Sequence, residues 1–338
     1  MKRGITVIFL SAVLLLVLIP VGLKAGNVAL SWSEIWEALC GRGSALTDFI
    51  ILDTRFPALI TSALGCAALA VAGLLMQTCF NNPLAGPSIM GISSGASLGV
   101  AVLILTAGGA VAGLGGNIAI VACAFVGALV VLGVLIIFSA SVKSPDVLLI
   151  IGILVGYLTS SIISLLNFFA ADHSVQAFVV WGLGTFAGVS RNTLPLFSIL
   201  TIAFICGSML YSKAMNALLF GERYAANSGI SPKRVRTGLL LLSGALTATV
   251  TAWCGPIVFV GLVVPHIARM LVRSGDHRLL LPATALTGAL LGVLCQICSV
   301  LPSISSTGVI PINAITPVVG VPVIVYVLLQ RRKLLYFN

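Results

Sequence analysis

Few side chains in this sequence have the types and spacing that chemistry requires. Gly91, Ser93 and Gly95 match the GxSxG pattern in which a serine hydrolase presents its nucleophile. That pattern needs a strand before it and Asp and His partners after it, whereas here an Asn- and Pro-rich loop leads into an apolar run. We therefore expect these small residues to pack against another helix. Hydrolysis through Ser93 is the functional hypothesis that this sequence supports least.

Metal, redox and nucleotide chemistry find equally little support. Cys295 and Cys298 form a CxxC pair, but no second ligand pair accompanies it, and most of the eight cysteines lie in apolar runs, where cysteine behaves as a small hydrophobic residue. His173 and His277 are expected to lie in loops and to form no constellation. The chain contains no Gly-Lys pair, so it lacks the phosphate-binding loop of an NTPase. The sequence predicts no catalytic residue, no metal ligand and no cofactor bound by this chain.

The elements that must position these residues are membrane helices. Of 338 residues, 59% are apolar and 8% are charged, about a third of the charge in a soluble domain. Backbone polar groups cannot stay unpaired in hydrocarbon, so long apolar runs must form helices. We predict an all-α polytopic membrane protein, a single transmembrane domain over residues 1–338. Its ten predicted spans cover residues 5–23, 58–78, 89–106, 118–138, 147–166, 194–210, 237–254, 257–271, 279–300 and 314–329.

The basic residues predict the orientation of these spans. Lys2 and Arg3 precede the first run, as in a signal peptide, but no convincing cleavage site follows, so we expect a retained first span. With alternating spans and a cytoplasmic N-terminus, fourteen of the eighteen Lys and Arg residues fall on the cytoplasmic side. Both termini are then cytoplasmic. The pI near 9.5 reflects this topology, and no nucleic-acid partner is predicted.

The predicted spans contain almost no ionisable side chains. They offer mainly Gln77, Gln296, Ser and Thr, and the pair His266 and Arg269 at the end of the eighth span is expected to anchor that helix at the membrane boundary. Carriers coupled to protons or sodium usually place ionisable groups at the midplane. An ion-coupled secondary transporter that acts without an ATPase is therefore the alternative hypothesis.

Glycine pairs four residues apart predict closely packed helices, because small faces let membrane helices approach one another. The pairs are Gly95/Gly99, Gly109/Gly113, Gly152/Gly156, Gly184/Gly188 and Gly288/Gly292.

The longest cytoplasmic connection, residues 212–236, carries helix signals of its own. Gly221 and Glu222 open a short helix with an acid in its first turn, and Gly229 is placed to end it. A Ser-Pro pair then predicts the start of the next helix. Such an ordered element could be a docking platform on the inner face, and an ordinary solvated loop is the other interpretation.

Several segments, in chain order, resemble one family of transporters. They are AGLLMQTCFNNPLAGPSIMGISSGASLG (72–99), WGLGTFAGVS (181–190), GERYAANSGI (221–230), CGPIVFVGLVVPHIARML (254–271) and IPINAITPVVGVP (310–322). They resemble the permease family of bacterial ABC importers for iron-siderophore complexes, haem and cobalamin, the FecCD/BtuC-like family. The resemblance implies the type II ABC importer permease fold in the bacterial inner membrane. It also implies import of a bulky metal chelate by alternating access at a homodimer interface, and any of the three chelates fits these residues.

The resemblance also implies partners and residue roles. The partners are a second copy of this chain, two cytoplasmic ATPase subunits that bind ATP-Mg, an extracytoplasmic substrate-binding protein and the lipid bilayer. The fifth and tenth predicted spans line the pathway. The implied ATPase-coupling residues are Gly221, Glu222, Arg223, Ala225, Ala226 and Gly229. The implied inner gate loop contains Ser141, Ser144, Pro145 and Asp146.

One implied site departs from the family pattern. Family members often carry two arginines, spaced Arg-x-Pro-Arg, that receive acidic residues of the binding protein. Here Arg55 keeps the first position and Ala58 replaces the second. We expect Arg55 to dock the binding protein with help from other contacts, for which Arg42 and Arg191 are the candidates.

Overall fold

The computed structural model of the protein describes residues 2–106, 114–142, 145–301 and 308–330, and every regular element among them is helical. A π-helical segment, Phe49–Arg55, runs directly into α4, and a 3-10 turn, Phe186–Gly188, follows α8. The helices are α1 (Lys2–Lys24), α2 (Trp32–Leu39), α3 (Ala45–Asp48), α4 (Phe56–Cys79), α5 (Ile92–Thr106), α6 (Leu114–Ser141), α7 (Pro145–Phe169), α8 (Asp172–Gly182), α9 (Leu194–Met209), α10 (Ser212–Leu218), α11 (Glu222–Asn227), α12 (Pro232–Cys254), α13 (Val260–Val272), α14 (His277–Val300) and α15 (Ile312–Gln330).

Six helices in the described part of the chain are long and apolar enough to cross a membrane: α1, the continuous stretch from α3 through α4, α6, α7, α12 and α14. The pair α9 and α10 meets the same criterion with a 50° bend, and α5, α13 and α15 are shorter apolar helices. These helices follow the ten predicted apolar runs in order. The count of ten spans stays a prediction, because α5 and α13, with 15 and 13 residues, are shorter than the ~20 residues that a bilayer core requires.

Helix α4 is the centre of the bundle. Nearly all of its residues are buried, and it packs against α12, α13 and α14. Gly73 lies so close to the carbonyl oxygen of Gly261 in α13 that a Cβ atom would overlap it. Gly288 and Gly292 of α14 lie against the backbone of α4 in the same way, so this predicted glycine pair does form a helix crossing.

The other glycine pairs divide between helix contacts and turns. Gly95 and Gly99 of α5 contact α6, and Gly152 and Gly156 of α7 face the turn before α5. Gly184, with φ +74°, follows α8, and Gly188 ends the 3-10 turn, so this pair does not join two helices. The pair at 109 and 113 lies outside the described residues.

Helices α1 and α7 lie at the periphery. Only small fractions of their most apolar stretches are buried within the chain. In contrast to α4, they present large apolar side chains outwards, which suits contact with lipid or with a second membrane subunit.

Candidate functional site

The segment 212–236 forms the short helices α10 and α11 and the start of α12. Gly221 precedes α11 with φ +98°, a backbone conformation that favours glycine, and Gly229 follows the helix with φ +79°. The predicted short helix and its two boundary glycines are therefore confirmed. Ala225 is buried. The exposed members of the implied coupling set are Gly221, Glu222, Arg223, Ala226 and Gly229.

An ion pair joins α11 to α12. The Glu222 carboxylate accepts a hydrogen bond from the Arg236 guanidinium, and the two side chains are 53% and 9% exposed. A nearly buried guanidinium needs such a partner, because its desolvation is costly. Helix α12 packs against α4 and α6, so the pair connects the exposed helix α11 to the core. Sequence reasoning counted Arg236 only as one more cytoplasmic positive charge.

A second connection leads from α10 into α14 and α4. The Asn216 Nδ2 atom donates to the Asp276 carboxylate at 2.7 Å, and its Oδ1 atom accepts from the His277 backbone N–H at 2.8 Å. The same Oδ1 atom lies 2.8 Å from Nδ1 of the His277 ring. On the other side of the ring, Nε2 lies 2.9 Å from the hydroxyl of Thr78, near the end of α4. His277 and Thr78 are buried.

The chemistry of these groups fixes their orientation. A carboxylate only accepts hydrogen bonds, so the Asn216 amide nitrogen must face Asp276 and the amide oxygen must face His277. That oxygen also only accepts, so Nδ1 of His277 carries the hydrogen. The backbone N–H of Arg278 lowers the pKa of Asp276 most strongly, partial burial opposes this, and the Asn216 amide adds to the lowering. Asp276 is therefore ionised at neutral pH.

This chain of bonds corrects the expectation that His277 lies in a loop without a constellation. Asp276 is the N-cap of α14, because its side chain accepts from the Arg278 N–H. His277 is consequently the first residue of a helix and turns inward. An aspartate directly before an apolar run is a known helix-start signal, so the sequence did hold a clue. Nothing in the sequence marked Asn216.

The expectation that His266 and Arg269 anchor α13 at the membrane boundary is also wrong. His266 is buried, with Nε2 2.9 Å from the carbonyl oxygen of Pro83. Arg269 donates from Nη1 to Oε1 of Gln77 at 2.8 Å, and the Gln77 amide donates to the Leu262 carbonyl at 3.2 Å. The cause is the packing of α13 against α4, which turns these polar groups into the bundle.

The implied gate residues lie where α6 passes into α7. Ser141 is the exposed last residue of α6, and Pro145 and Asp146 are the first two residues of α7. Ser144 lies outside the described residues. The connection between the helices is thus very short, and a gating role for it stays a prediction.

Arg55 binds the end of α1. Its Nη1 donates to the carbonyl oxygens of Leu23 and Lys24 at 2.8 and 3.3 Å, and its Nη2 donates to that of Val28 at 2.5 Å. Carbonyl groups in the last turn of a helix lack partners within the helix, so Arg55 satisfies them. Arg55 and the buried Ala58 both line a cavity of about 620 Å³ at this end of the bundle. Docking of a binding protein by Arg55 stays a prediction.

Substitution of Arg55 tests whether this side chain caps the end of α1. We expect Arg55→Ala to lower the free energy of unfolding by about 1–3 kcal/mol, because it leaves carbonyl groups at the end of α1 unpaired. Arg42→Ala and Arg191→Ala are the controls, since both side chains are exposed and should have little effect on stability. Thermal unfolding of the purified variants measures this difference. An unchanged stability of Arg55→Ala would contradict the capping role.

Asn313, near the start of α15, forms hydrogen bonds with two other segments of the chain: the end of α8 and the connection between α12 and α13. Its Nδ2 donates to the carbonyl oxygens of Pro256 and Gly182 at 2.5 and 3.1 Å, and its Oδ1 accepts from the Val258 N–H at 3.2 Å. Pro256 and Val258 belong to the non-helical connection between α12 and α13. Phe259, at the end of this connection, has φ +69°, which is unfavourable for a bulky residue. Such a conformation persists only where the surroundings impose it, and Asn313 supplies part of that constraint.

We expect Asn313→Ala to lower the free energy of unfolding by about 2–4 kcal/mol, since several backbone groups lose their partner. Thr316→Val is a matched control in the same helix, because the Thr316 hydroxyl donates only to the carbonyl of Ile312 within α15. Denaturation midpoints in detergent measure both variants. Equal shifts for the two would show that the Asn313 bonds do not hold the connection.

Ser93 lies in the first turn of α5. It is buried, and its hydroxyl lies 3.5 Å from that of Thr251. A turn rather than a strand precedes it, so the surroundings of a hydrolase nucleophile are missing. Among the described residues, no group of three His, Cys, Asp or Glu side chains could hold a metal ion.

These elements form a bundle of apolar helices with an ordered helical surface at one end, which is the architecture that the sequence predicts for a membrane permease. The chain belongs to the FecCD transport family, whose profile matches residues 14–330. It is similar to the vitamin B12 import system permease protein BtuC of Klebsiella pneumoniae, with 33% identity over 335 residues that cover 98% of this chain and 96% of that protein. The BtuC protein of Vibrio cholerae is 31% identical over 300 residues, 88% of each chain.

A solved structure is similar over nearly the whole length. It shows an inward-facing conformation of a metal-chelate type ABC transporter, with a TM-score of 0.85, 27% identity, and coverage of 96% of this chain and 99% of that one. The family and fold predicted from the sequence are thereby confirmed. The protein is an ABC importer permease, a multi-pass transport protein of the inner membrane, and nothing in these likenesses favours the ion-coupled alternative.

Proposed function

We propose that this chain is the membrane subunit of an ATP-driven importer for a bulky metal chelate. Two copies form the pathway, two separate ATPase subunits bind ATP-Mg below them, and an extracytoplasmic binding protein delivers the solute. The observation that carries the proposal is the cytoplasmic surface of α10 and α11, in which α11 is exposed apart from Ala225 while α10 is mostly half-buried. Two independent side-chain connections bond this surface into the core.

The proposed substrate class, a bulky metal chelate, comes from the names of the relatives. The exposed side chains of the two pathway helices are consistent with it. Two of the relatives are named for vitamin B12 import, and the solved structure for metal-chelate transport. Helices α7 and α15, which correspond to the fifth and tenth predicted spans, expose mainly apolar side chains, such as Leu154 and Leu158 of α7 and Val318 and Val321 of α15. A neutral surface of this kind suits a large chelate better than a small ion, which needs polar ligands. Cobalamin, iron-siderophore and haem all belong to this class.

The two connections suggest how ATP binding moves the bundle. Closure of the ATPase pair would push on α10 and α11. The Glu222–Arg236 pair would carry this movement into α12, and the bonds from Asn216 through His277 to Thr78 would carry it into α14 and α4. Because α12 packs on α6 and α6 leads into the gate at Ser141 to Asp146, the movement reaches the connection before α7.

The proposal is tested by purifying the chain together with the ATPase and binding protein expressed from neighbouring genes. We expect a complex with two copies of this chain and two ATPase subunits, whose ATP hydrolysis increases when the loaded binding protein is added. Mass spectrometry of the ligand that copurifies with the binding protein identifies the chelate. A chain that associates with no ATPase would contradict the proposal.

A further inference from the structure

Helix α2 has two different apolar surfaces. Ile35 and Ala38 are buried against the rest of the chain, whereas Trp32, Trp36 and Leu39 are 52%, 69% and 41% exposed. At ~100° per residue, these two groups form neighbouring stripes on one half of the helix. The other half carries the exposed polar residues Ser33, Glu34 and Glu37. The helix therefore has one side buried against the protein, one apolar side that is largely exposed among the described residues, and one polar side.

The start of helix α2 is fixed by its own capping. Ser31 and Glu34 form a capping box, in which the Glu34 carboxylate accepts from the Ser31 N–H at 2.7 Å and the Ser31 hydroxyl accepts from the Glu34 N–H. The Ser31 N–H lowers the pKa of Glu34 most strongly, and the Ser31 hydroxyl, which donates to the same carboxylate at 2.8 Å, adds to the lowering. The burial of Ile35 and Ala38 then places the side of α2 with the two tryptophans away from the bundle.

Helix α2 follows α1, a peripheral helix whose apolar side chains are largely exposed, after a short connection. Lys24 is the last residue of α1, and its Nζ atom lies 4.8 Å from the centre of the Trp32 ring, a cation–π contact. Few residues of α1 are buried. Its exposed apolar side chains include Leu10, Leu14, Val17 and Val21. The tryptophan surface therefore adjoins the exposed apolar surface of α1 at the end of that helix.

We propose that α2 lies in the outer interface of the bilayer, with Trp32 and Trp36 inserted among the phospholipid headgroups and the upper acyl chains. Tryptophan prefers this depth because its ring is apolar while its N–H can bond to headgroups or water. The segment is held at both ends by membrane helices, α1 before it and the stretch through α4 after it. Leu46 and Phe49, 68% and 60% exposed, extend the same apolar character towards α4. The bilayer, rather than a protein, is the partner of this surface.

The test uses the full-length protein in phospholipid vesicles and the fluorescence of its four tryptophans. The emission of W32F/W36F is subtracted from that of the wild type, which isolates Trp32 and Trp36. We expect this difference to be quenched by lipids brominated near the headgroup more than by lipids brominated deep in the acyl chain. W253F is the matched control, because Trp253 contacts Phe197 with ring centres 5.8 Å apart inside the chain, and the shallow quenching should survive its removal.

Two results would overturn the proposal. Quenching of Trp32 and Trp36 by aqueous acrylamide but not by brominated lipid would show that the surface faces water and is free to bind a protein. Protection from both quenchers would show that a second copy of this chain covers it. The test needs no ATPase, binding protein or chelate, so its outcome does not depend on the proposed import function.

Discussion

Asn216→Asp is expected to abolish ATP-driven transport, and the exchange N216D/D276N is expected to restore it. The single substitution would place a second carboxylate against Asp276, where the wild-type atoms lie 2.7 Å apart. Two like charges at 4 Å repel by about 4 kcal/mol at an effective dielectric constant of 20, so α10 would separate from the start of α14. In the exchange, the amide introduced at position 276 donates to the carboxylate introduced at position 216. That carboxylate still accepts from the backbone and ring N–H groups of His277.

The measurement is chelate transported per ATP hydrolysed by the reconstituted complex, with thermal stability recorded for every variant. A purely structural role of Asn216 would change stability and amount of complex, but not the ratio of transport to hydrolysis. Thr78→Val is a milder companion variant, since it removes only the hydroxyl that faces His277 and keeps the shape of the side chain. Normal coupling in N216D, or an exchange variant as defective as N216D, would show that this chain of bonds does not transmit the movement.

Glu222→Arg is expected to weaken ATPase association strongly and to leave the binding protein's affinity for its solute intact. The substitution would oppose Arg236, a side chain only 9% exposed, with a second positive charge. The lost charge-assisted hydrogen bond alone is worth about 1.5–3 kcal/mol, and α11 would lose its fixed orientation on α12. Copurification of the ATPase subunits and uptake by the reconstituted complex measure the effect.

The reversed pair E222R/R236E is the control for this prediction. It returns an opposite charge to each position, so we expect it to regain stability and much of the ATPase association. Glu222→Gln, which keeps a hydrogen-bond acceptor, should be less harmful than Glu222→Arg. Normal coupled transport by Glu222→Arg would contradict the assignment of α11 as the coupling helix.

The helices could be predicted because their signals are local. Each of the ten apolar runs coincides with a helix, since a long apolar segment in a membrane has no other way to pair its backbone. The short helix at Glu222 was equally visible, because its glycine boundaries and its first-turn acid lie within a few residues. Helix α2 also has a local signal, the Ser31 to Glu34 capping box. Its eight residues are too few to cross a membrane, so the apolar runs that predict the spans do not reveal it.

The side-chain connections could not be predicted, because their partners are distant in the sequence. Asn216 bonds to a residue 61 positions away, and Asn313 bonds to one 131 positions away. Nothing in an asparagine and its neighbours indicates such a partner. The mistaken expectations for His266 and His277 have the same origin: only the packing of α13 and α14 against α4 turns these rings inward.

Uptake by proteoliposomes tests most directly whether this permease works by ATP hydrolysis on a separate chain. Vesicles contain this chain, its ATPase subunits and internal ATP, and the chelate is presented outside on the binding protein. We expect uptake that requires ATP, the ATPase and the binding protein, and that persists when proton and sodium gradients are dissipated. Uptake by this chain alone, driven by an ion gradient, would contradict the account.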